Sequence, residues 1–315
     1  MIDSKKTSDS VKDLPLVSMV IPCYNHAAYV QQSIASIITQ DYANIELIII
    51  DDGSSDESVQ CIEAMLVACQ QRFVRFEFRI HGNKGLSATL NEALEWANGE
   101  YFAALASDDI LLPFKTSILI DAIESERGIA GVFCGAETIN EHAGLLAIKC
   151  VPSKIYCGFP QLFLHNNSLI ASSMLLDMAS VRSVGGYDER VFFEDWYMWL
   201  KLTENGVNLM VLPDILVKYR IHPENMSKNI AKMQEARIKI AEMYSQHRLY
   251  PRVMANIYAA SALEYSEVSL ADTFRCLIKS TSFSLKVIFS HSFKYALAKA
   301  LLPKKLLNAI KKLIA

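Results

Sequence analysis

The sequence lacks the long apolar runs that a membrane-spanning helix requires. Its longest apolar runs and others such as Ile48–Ile50 fall far short of the roughly 20 apolar residues that cross a bilayer. Residues 1–14 are polar and have no apolar core of the kind found in secretory signal peptides. We therefore expect a cytoplasmic protein in which residues 1–14 form a disordered lead-in.

Paired cysteines are missing as well. The chain has seven cysteines, an odd number, and none of them belongs to a C-x-x-C pair. A cytosolic protein with reduced cysteines is the simplest account of this pattern.

Acidic residues are absent from the C-terminal end. After Asp272 the chain carries nine basic residues and no acidic one, whereas residues 1–272 carry 22 basic and 34 acidic side chains. Residues 281–315 interleave lysines with apolar residues, and Pro303 divides them into two predicted helices. A basic amphipathic helix is typical of peripheral contact with an anionic membrane surface. A helix that docks its apolar face on the protein body fits the pattern equally well, and the acidic body argues against nucleic acid as a partner.

What the sequence does have is a regular alternation of strand-like and helix-like segments. With 51% hydrophobic and 21% charged residues, the 315-residue chain has the composition of a globular protein. Short β-branched runs alternate with segments whose apolar residues recur at helical spacing. In chain order they are strand 16–21, helix 27–39, strand 46–50, helix 58–69, strand 73–79, helix 86–97 and strand 101–106. This alternation predicts an α/β fold with a doubly wound, mixed but mainly parallel sheet flanked by helices.

Beyond Asp109 the pattern is less regular, and from Ser227 onward it is helical. We predict two domains, one over 15–226 and a C-terminal helical region over 227–315. The elements expected between them are helix 113–125, strand 129–134, hairpin 135–155, helix 159–164, strand 172–176, helix 194–205 and strands 209–212 and 216–221.

Two adjacent carboxylates, Asp108 and Asp109, follow the strand that begins at Tyr101. Ligands of α/β sheets bind at the carboxyl ends of strands, where such a pair needs a cation or hydroxyl donors to offset its charge. A divalent metal ion and a ribose would both serve. The alternative is that one of the two carboxylates caps the next helix.

Two further loops at strand ends carry similar signals. In the segment Pro22–Asn25, the ring of Tyr24 and the amide of Asn25 are suited to hold a flat base, although a plain turn explains them too. Asp51 and Asp52 form a second carboxylate pair, and one of them would accept the N–H of a pyrimidine base. Helix capping is again the alternative.

Three weaker signals complete the set. Either carboxylate of Glu194-Asp195 would serve as a general base, or as a helix cap. His222 is a metal-capable residue and Arg220 a phosphate partner, although a lone histidine is more often structural. The segment Gly82–Gly85 would present backbone amides to a diphosphate, but it is not a G-x-G-x-x-G or a Walker A loop.

In combination, these residues resemble the family 2 inverting glycosyltransferases with the GT-A fold. The resemblance covers residues 16–227 and rests on IPCYNHAAYV, IIIDDGSSDES, NKGLSATLNEALEWANGEYFAALASDD, GGYDE, EDW and YRIHPENMS. It implies a nucleotide pocket lined by Pro22, Tyr24 and Asp52, with Asp52 meeting the base.

The resemblance also implies roles for the remaining polar residues. Asp108 would hold the ribose, Asp109 would bind the divalent metal (Mn²⁺ or Mg²⁺) that bridges the diphosphate, and Asp195 would be the general base. His222 lies where some members place a further metal ligand. Ala106 departs from the LDxDD pattern of many members, which leaves one acidic group fewer near the metal.

The function expected from this resemblance is sugar transfer from a UDP- or dTDP-sugar to a hydroxyl of a glycan or lipid-linked acceptor. The absence of a Q-x-x-R-W motif favours a non-processive, surface-polysaccharide type of enzyme. Two alternatives are a nucleotidyltransferase and a catalytically degenerate sugar-nucleotide-binding or scaffold protein. The first usually has a Gly-rich basic loop that PCYNHA does not match, and the second is suggested by Ala106.

Overall fold

The computed structural model describes residues 14–164 and 169–302. The predicted lead-in lies outside the described residues apart from Leu14, and the predicted second helix of the basic tail, after Pro303, lies wholly outside them.

The chain divides into two compact units. The sheet unit comprises Met1–Phe159, Asn167–Arg190 and Glu194–Pro223. The helical unit comprises Pro160–Asn166, Val191–Phe193 and Glu224–Ala315. Sequence reasoning placed the two short pieces near residues 160 and 191 in the first domain, because nothing in their composition separates them from their neighbours.

A single mixed sheet of ten strands forms the centre of the sheet unit, in the order β3-β2-β1-β4-β9-β6-β10-β5. Strand β7 pairs with β6 and strand β8 with β10, outside that order. The strands are β1 (Val17–Cys23), β2 (Ile45–Asp51), β3 (Arg75–Ile80), β4 (Tyr101–Ala104), β5 (Ile110–Leu111), β6 (Ile129–Asn140), β7 (Leu145–Lys149), β8 (Ile155–Cys157), β9 (Leu175–Asp177) and β10 (Asn208–Ile221).

Helices connect and flank these strands. Before the helical region they are α1 (Val30–Ile38), α2 (Ser58–Glu63), α3 (Leu66–Arg72), α4 (Leu86–Trp96), α5 (Lys115–Glu124), α6 (Phe159–Phe163), α7 (Met178–Ser183) and α8 (Glu194–Thr203). The helical region contains α9 (Ile230–Met243), α10 (Tyr250–Tyr265), α11 (Leu270–Phe283) and α12 (His291–Leu301). The predicted helix-flanked α/β sheet with a C-terminal helical region is therefore confirmed.

The parallel half of the sheet brings the carboxyl ends of β1, β2 and β4 to one edge. Strand β1 pairs in parallel with β2 on one side, where Cys23 is opposite Asp51, and with β4 on the other, where Val20 is opposite Ala104. The segments that follow these three strands, which carry the predicted base, metal and ribose residues, therefore start side by side.

Helix α1 shows why the local sequence folds as it does. Val30, Ile34 and Ile37 recur at helical spacing and are fully buried. They join a core in which strands β1 and β2 bury almost every side chain, as expected for strands covered on both faces. Each such side chain contributes about 1.5–3 kcal/mol to the free energy of unfolding.

Two predicted elements differ from the structure. Strand β10 is continuous over Asn208–Ile221, where we predicted two strands separated at Pro213. Register shifts between Val211 and Val217 accommodate this proline, since an irregular pairing does not need the missing N–H. The predicted helix 58–69 is two helices, α2 and α3.

Helices α10, α11 and α12 pack on one another within the helical unit. Helix α10 is buried along most of its length, and α12 buries Phe293 and Ala296. The start of the predicted basic tail therefore docks an apolar face on its neighbours. Across the described part of the chain, no helix combines the length and the hydropathy needed to span a bilayer.

Candidate functional site

The loop after β1 is tied to the loop after β2. The Asn25 backbone N–H donates to Ser54 Oγ at 2.8 Å, and Asn25 Oδ1 accepts from the Ser55 N–H at 2.7 Å. Asn25 has a positive φ of 54°, which asparagine tolerates better than most residues. Pro22 is partly buried at the end of β1 and Tyr24 is 48% exposed. The loop therefore presents an accessible aromatic ring. The side-chain oxygen of Asn25 holds this loop and the loop after β2 together.

Asp52 lies at the N-terminus of α4. Its Oδ1 accepts from the Lys84 N–H at 2.6 Å, and its Oδ2 accepts from the Gly85 N–H at 2.9 Å. Asp52 thus takes up two of the amides in the segment Gly82–Gly85, and the diphosphate-binding interpretation of this segment stays a prediction that the arrangement does not favour. The amides fix the Asp52 carboxylate in one orientation next to the exposed Tyr24 loop.

Asp51 has a different role. Its two carboxylate oxygens accept from the backbone N–H and the hydroxyl of Ser54, at 2.8 and 2.6 Å. These bonds form a local turn, which agrees with the capping alternative for this residue. The Asp51 side chain thus bonds within its own loop, whereas the Asp52 side chain bonds to the loop that precedes α4.

Asp108 lies beside two histidines. Its Oδ2 is 2.9 Å from His222 Nε2, and His222 is 2% exposed. His26, Asp108 and His222 each offer one metal-binding atom, and these atoms all lie within 4.8 Å of one another. The rings of His26 and His222 also meet edge to face, with centroids 5.4 Å apart. Among the described residues, these three side chains form a group that could hold a metal ion.

The approach of Asp108 to His222 follows from strand pairing. Strand β5 pairs antiparallel with β10, with Ile110 opposite Lys218 and Leu111 opposite Val217. Because the two strands run in opposite directions, residues 108–109, just before β5, lie near residues 220–222, at the end of β10 and just after it. Sequence reasoning did not find β5, because a strand of two residues leaves no periodic signal.

Asp109 is held within the protein interior. Its Oδ2 accepts from the Ser172 hydroxyl at 2.5 Å and its Oδ1 from the Arg220 N–H at 2.8 Å, and it is 1% exposed. Burial and, secondarily, the charge of Asp108 raise the pKa of Asp109 well above its usual range. The structure thus places Asp108, and not Asp109, with the two histidines. The metal role implied for Asp109 stays a prediction that this arrangement does not favour.

Arg220 is fully buried, and its side chain connects separate segments of the sheet unit through hydrogen bonds. Its Nε donates to Asp108 O at 2.8 Å, Nη2 to Gln32 Oε1 at 2.8 Å, and Nη1 to the carbonyls of Asn140 and Glu141 at 3.3 and 3.0 Å. Its guanidinium also lies over the Tyr29 ring. The phosphate-binding interpretation of Arg220 is therefore wrong in this structure, because the protein itself takes up these donors.

Glu194 and Asp195 form the first turn of α8. Asp195 Oδ1 accepts from the Trp196 N–H at 2.5 Å, which orients the carboxylate at the helix N-terminus. Desolvation and, secondarily, the Asp195 charge raise the pKa of Glu194. Trp196 and Trp199 are buried among the core residues.

Sequence reasoning missed two residues of this site. Ser172, in the turn Ala171–Ser173, donates to Asp109 and also accepts from the Ala106 N–H at 3.3 Å. It is 63 positions from Asp109 in sequence, and a lone serine carries no signal. His26 was visible in the PCYNHA loop, but its proximity to His222 arises only from the fold.

The sequence and the fold were compared with those of known proteins, and both resemble glycosyltransferases. The sequence model described as Glycosyl transferase family 2 matches residues 18–158. An uncharacterised glycosyltransferase of Rickettsia typhi is 29% identical over 220 residues, which are 66% of this chain and 64% of that protein. Escherichia coli chondroitin synthase is 27% identical over 244 residues, which are 75% of this chain and 33% of that protein. The chain thus spans less than two thirds of the length of either relative.

A solved structure agrees with the fold. The crystal structure of S. aureus TarS 1-349 in complex with UDP-GlcNAc superposes with a TM-score of 0.63 at 16% identity, covering 90% of this chain and 88% of that one. At this level of identity the likeness concerns the fold. Residues 18–158 of this chain therefore form a glycosyl transferase family 2 domain, within a sheet unit that has the GT-A-like fold.

Proposed function

We propose that the protein is an inverting glycosyltransferase that moves a sugar from a UDP- or dTDP-sugar to a hydroxyl of a glycan or lipid-linked acceptor. The observation that carries the proposal is the clustering of Asp108 with His26 and His222, next to the strand ends that bear Asp52 and Tyr24. Of these residues, all but His222 lie in the stretch 18–158 that matches family 2. Such a cluster would meet the diphosphate of a donor whose base lies toward Asp52.

The donor pocket would be built from the loops after β1 and β2. Tyr24 offers an exposed ring for stacking and Pro22 a rigid wall, while Asn25 holds the two loops together. The Asp52 carboxylate is fixed by two amides, and a carboxylate accepts the N–H of uracil or thymine. The UDP-GlcNAc bound by the structural relative TarS is a donor of this class.

A divalent metal ion fits the residues around Asp108. Asp108 Oδ2 lies 2.9 Å from His222 Nε2, and His26 offers a third potential ligand atom within 4.8 Å of both. Carboxylate oxygen and imidazole nitrogen are both ligands of divalent metal ions, so these residues would hold the ion. When bound there, the ion would stabilise the charge that develops on the leaving diphosphate.

Asp195 is the residue that we assign as general base. Because the pKa of Glu194 is raised by burial and by the Asp195 charge, a proton shared by the pair would reside on Glu194. Asp195 would then be the member that takes a proton from the acceptor hydroxyl. One base is sufficient for a single in-line displacement, which inverts the configuration of the sugar.

The acceptor would be a polysaccharide or its lipid-linked precursor. The relative in E. coli is named for the synthesis of a polysaccharide, chondroitin. A turn in the helical unit, Leu285–Phe289, exposes Leu285 and Phe289 by 74% and 72% and carries Lys286. Apolar side chains beside lysines suit peripheral contact with an anionic membrane, where a lipid-linked acceptor would be found.

Calorimetric titration with UDP, dTDP, GDP and CMP, each with and without Mn²⁺, tests the donor part of the proposal. We expect one pyrimidine diphosphate to bind, more tightly with metal, and an Asp52→Asn variant to lose the preference for it over GDP. A Glu57→Gln variant, changed at an exposed acid near the same loops, is the matched control. Failure of all four nucleotides to bind would overturn the transferase proposal and favour a scaffold.

A further inference from the structure

We propose that strand β7 is a dimerisation edge, at which two copies of this chain pair antiparallel and join their sheets. The inference does not rest on the proposed function, because it concerns backbone and apolar groups that carry no chemistry. Strand β7 (Leu145–Lys149) pairs with β6 along one side. Among the strands that the structure describes, none pairs with its other side.

All five side chains of β7 are exposed, although four of them are apolar. Leu145, Leu146 and Ile148 are 58%, 55% and 55% exposed. The strand contains no acidic residue and no proline, and its one charged residue is Lys149 at the end. An edge of this kind presents unpaired backbone groups together with apolar surface, and it readily pairs with another strand.

The other edges of the sheet are protected against such pairing. Strand β3, at the end of the strand order, carries Arg75, Glu77 and Arg79 at every second position. Strands β5 and β8 have only two and three residues. Charges and short length are two ways in which natural proteins block an edge. Apart from Lys149 at its end, β7 has neither protection, which favours a partner at this edge.

A second copy of β7 fits this edge better than a lipid or a glycan does. A lipid surface would cover the apolar side chains but would leave the backbone N–H and C=O groups without hydrogen bonds. A glycan would bond to the backbone groups but would leave the large apolar side chains in contact with water. A strand of the same composition satisfies both, and a two-fold axis makes the contact self-complementary.

Charge favours the antiparallel arrangement of the two copies. Lys149 lies at the end of β7, and Glu141 lies in the turn before its start. Antiparallel pairing brings each Lys149 toward Glu141 of the partner subunit, whereas parallel pairing would place the two lysines side by side. Both side chains are accessible for this contact, since that of Glu141 is 47% exposed and Lys149 is exposed as well.

Sedimentation velocity of the full-length chain between about 1 and 100 µM tests the inference. A five-residue strand is about 17 Å long, so the contact is small and the dimer should dissociate on dilution. Ile148→Glu should raise the dimer dissociation constant at least tenfold, because it places a carboxylate in the apolar contact. Val67→Glu is the matched control and should dimerise like the wild type, since Val67 is 66% exposed but lies on helix α3.

Cysteine cross-linking locates the contact. Ala147 is the middle residue of β7, so a two-fold axis would pass close to it and bring the two copies of residue 147 within disulfide distance. In a Cys150→Ser background, Ala147→Cys should form a covalent dimer on oxidation with diamide. Val74→Cys should not, since Val74 is 54% exposed next to the edge strand β3.

Three results would overturn the inference. They are a monomer at every concentration, a dimer that Ile148→Glu leaves intact, and equal cross-linking at positions 147 and 74. Vesicle binding that Ile148→Glu removes from a monomeric protein would assign the edge to lipid instead, and would overturn it too. None of these results bears on sugar transfer, which UDP release measures separately.

Discussion

The sheet unit and the helical unit differ in the polar residues that accompany their apolar side chains. In the sheet unit, apolar side chains fill the core, and the acids and histidines meet at the ends of strands. In the helical unit, several large apolar side chains remain exposed among lysines, including Leu285 and Phe289. Under the proposed function, the first unit would carry the chemistry and the second the membrane contact, so each should respond to a different experiment.

The largest effect is expected for the proposed base in the sheet unit. We expect Asp195→Asn to lower the turnover number by about 10²–10⁴-fold, the usual contribution of general base catalysis, while nucleotide binding survives. Release of UDP and calorimetric binding measure the two properties. A variant with near wild-type turnover would show that the base lies elsewhere.

The next effect concerns stability of the sheet unit. Arg220→Met removes a buried cation that ties Asp108, Gln32 and the hairpin carbonyls together, and should lower the free energy of unfolding by about 3–5 kcal/mol. Urea denaturation checks this. Arg190→Met is the control, because the Arg190 side chain is 86% exposed and should change stability by no more than about 0.5 kcal/mol. Equal losses in the two variants would contradict the structural role of Arg220.

The helical unit should respond to a membrane surface instead. Replacing Leu285 and Phe289 with serine should weaken binding to anionic vesicles at least tenfold, since burial of each side chain contributes about 1.5–3 kcal/mol. Vesicle sedimentation at low and high salt provides the measurement. Val268→Ser is the control, because Val268 is 75% exposed and lies before the opposite end of α11. If full-length protein does not sediment with vesicles at low salt, the attachment role is wrong.

The smallest effect is on the pH dependence of stability. Because the pKa of Glu194 is raised in the folded protein, the folded state holds a proton that the unfolded state has already released above pH 4.5. Stability should therefore fall as pH rises from 4.5 toward the raised pKa, and Glu194→Gln should flatten this fall. Urea denaturation across this range, with exposed Glu95→Gln as the control, measures it. An unchanged slope in Glu194→Gln would exclude Glu194 as the source.

Much of the sheet was predictable because its signals are local. The buried runs of β1 and β2 and the helical spacing of Val30, Ile34 and Ile37 depend only on neighbouring residues. The two-residue strand β5 was not predictable, since its pairing with β10 depends on the assembled fold.

Most residues of the site were predictable from the sequence. The contacts between them were less predictable. Asp108 and His222 were both identified, but their contact depends on β5. The resemblance implies a ribose role for Asp108 and a metal role for Asp109, whereas the contacts of each carboxylate in the structure depend on long-range partners such as Ser172. Likewise, nothing local indicates that Arg220 would be used inside the protein.

The way Arg220 is used has a consequence for comparing sequences. Its planar group serves four acceptors on three separate segments, a geometry that lysine cannot reproduce with a single ammonium. We therefore expect this position to tolerate no exchange, even between residues of equal charge. In a set of related sequences it would stand out as strongly as the acidic residues, and invariance alone would wrongly suggest that it touches the donor.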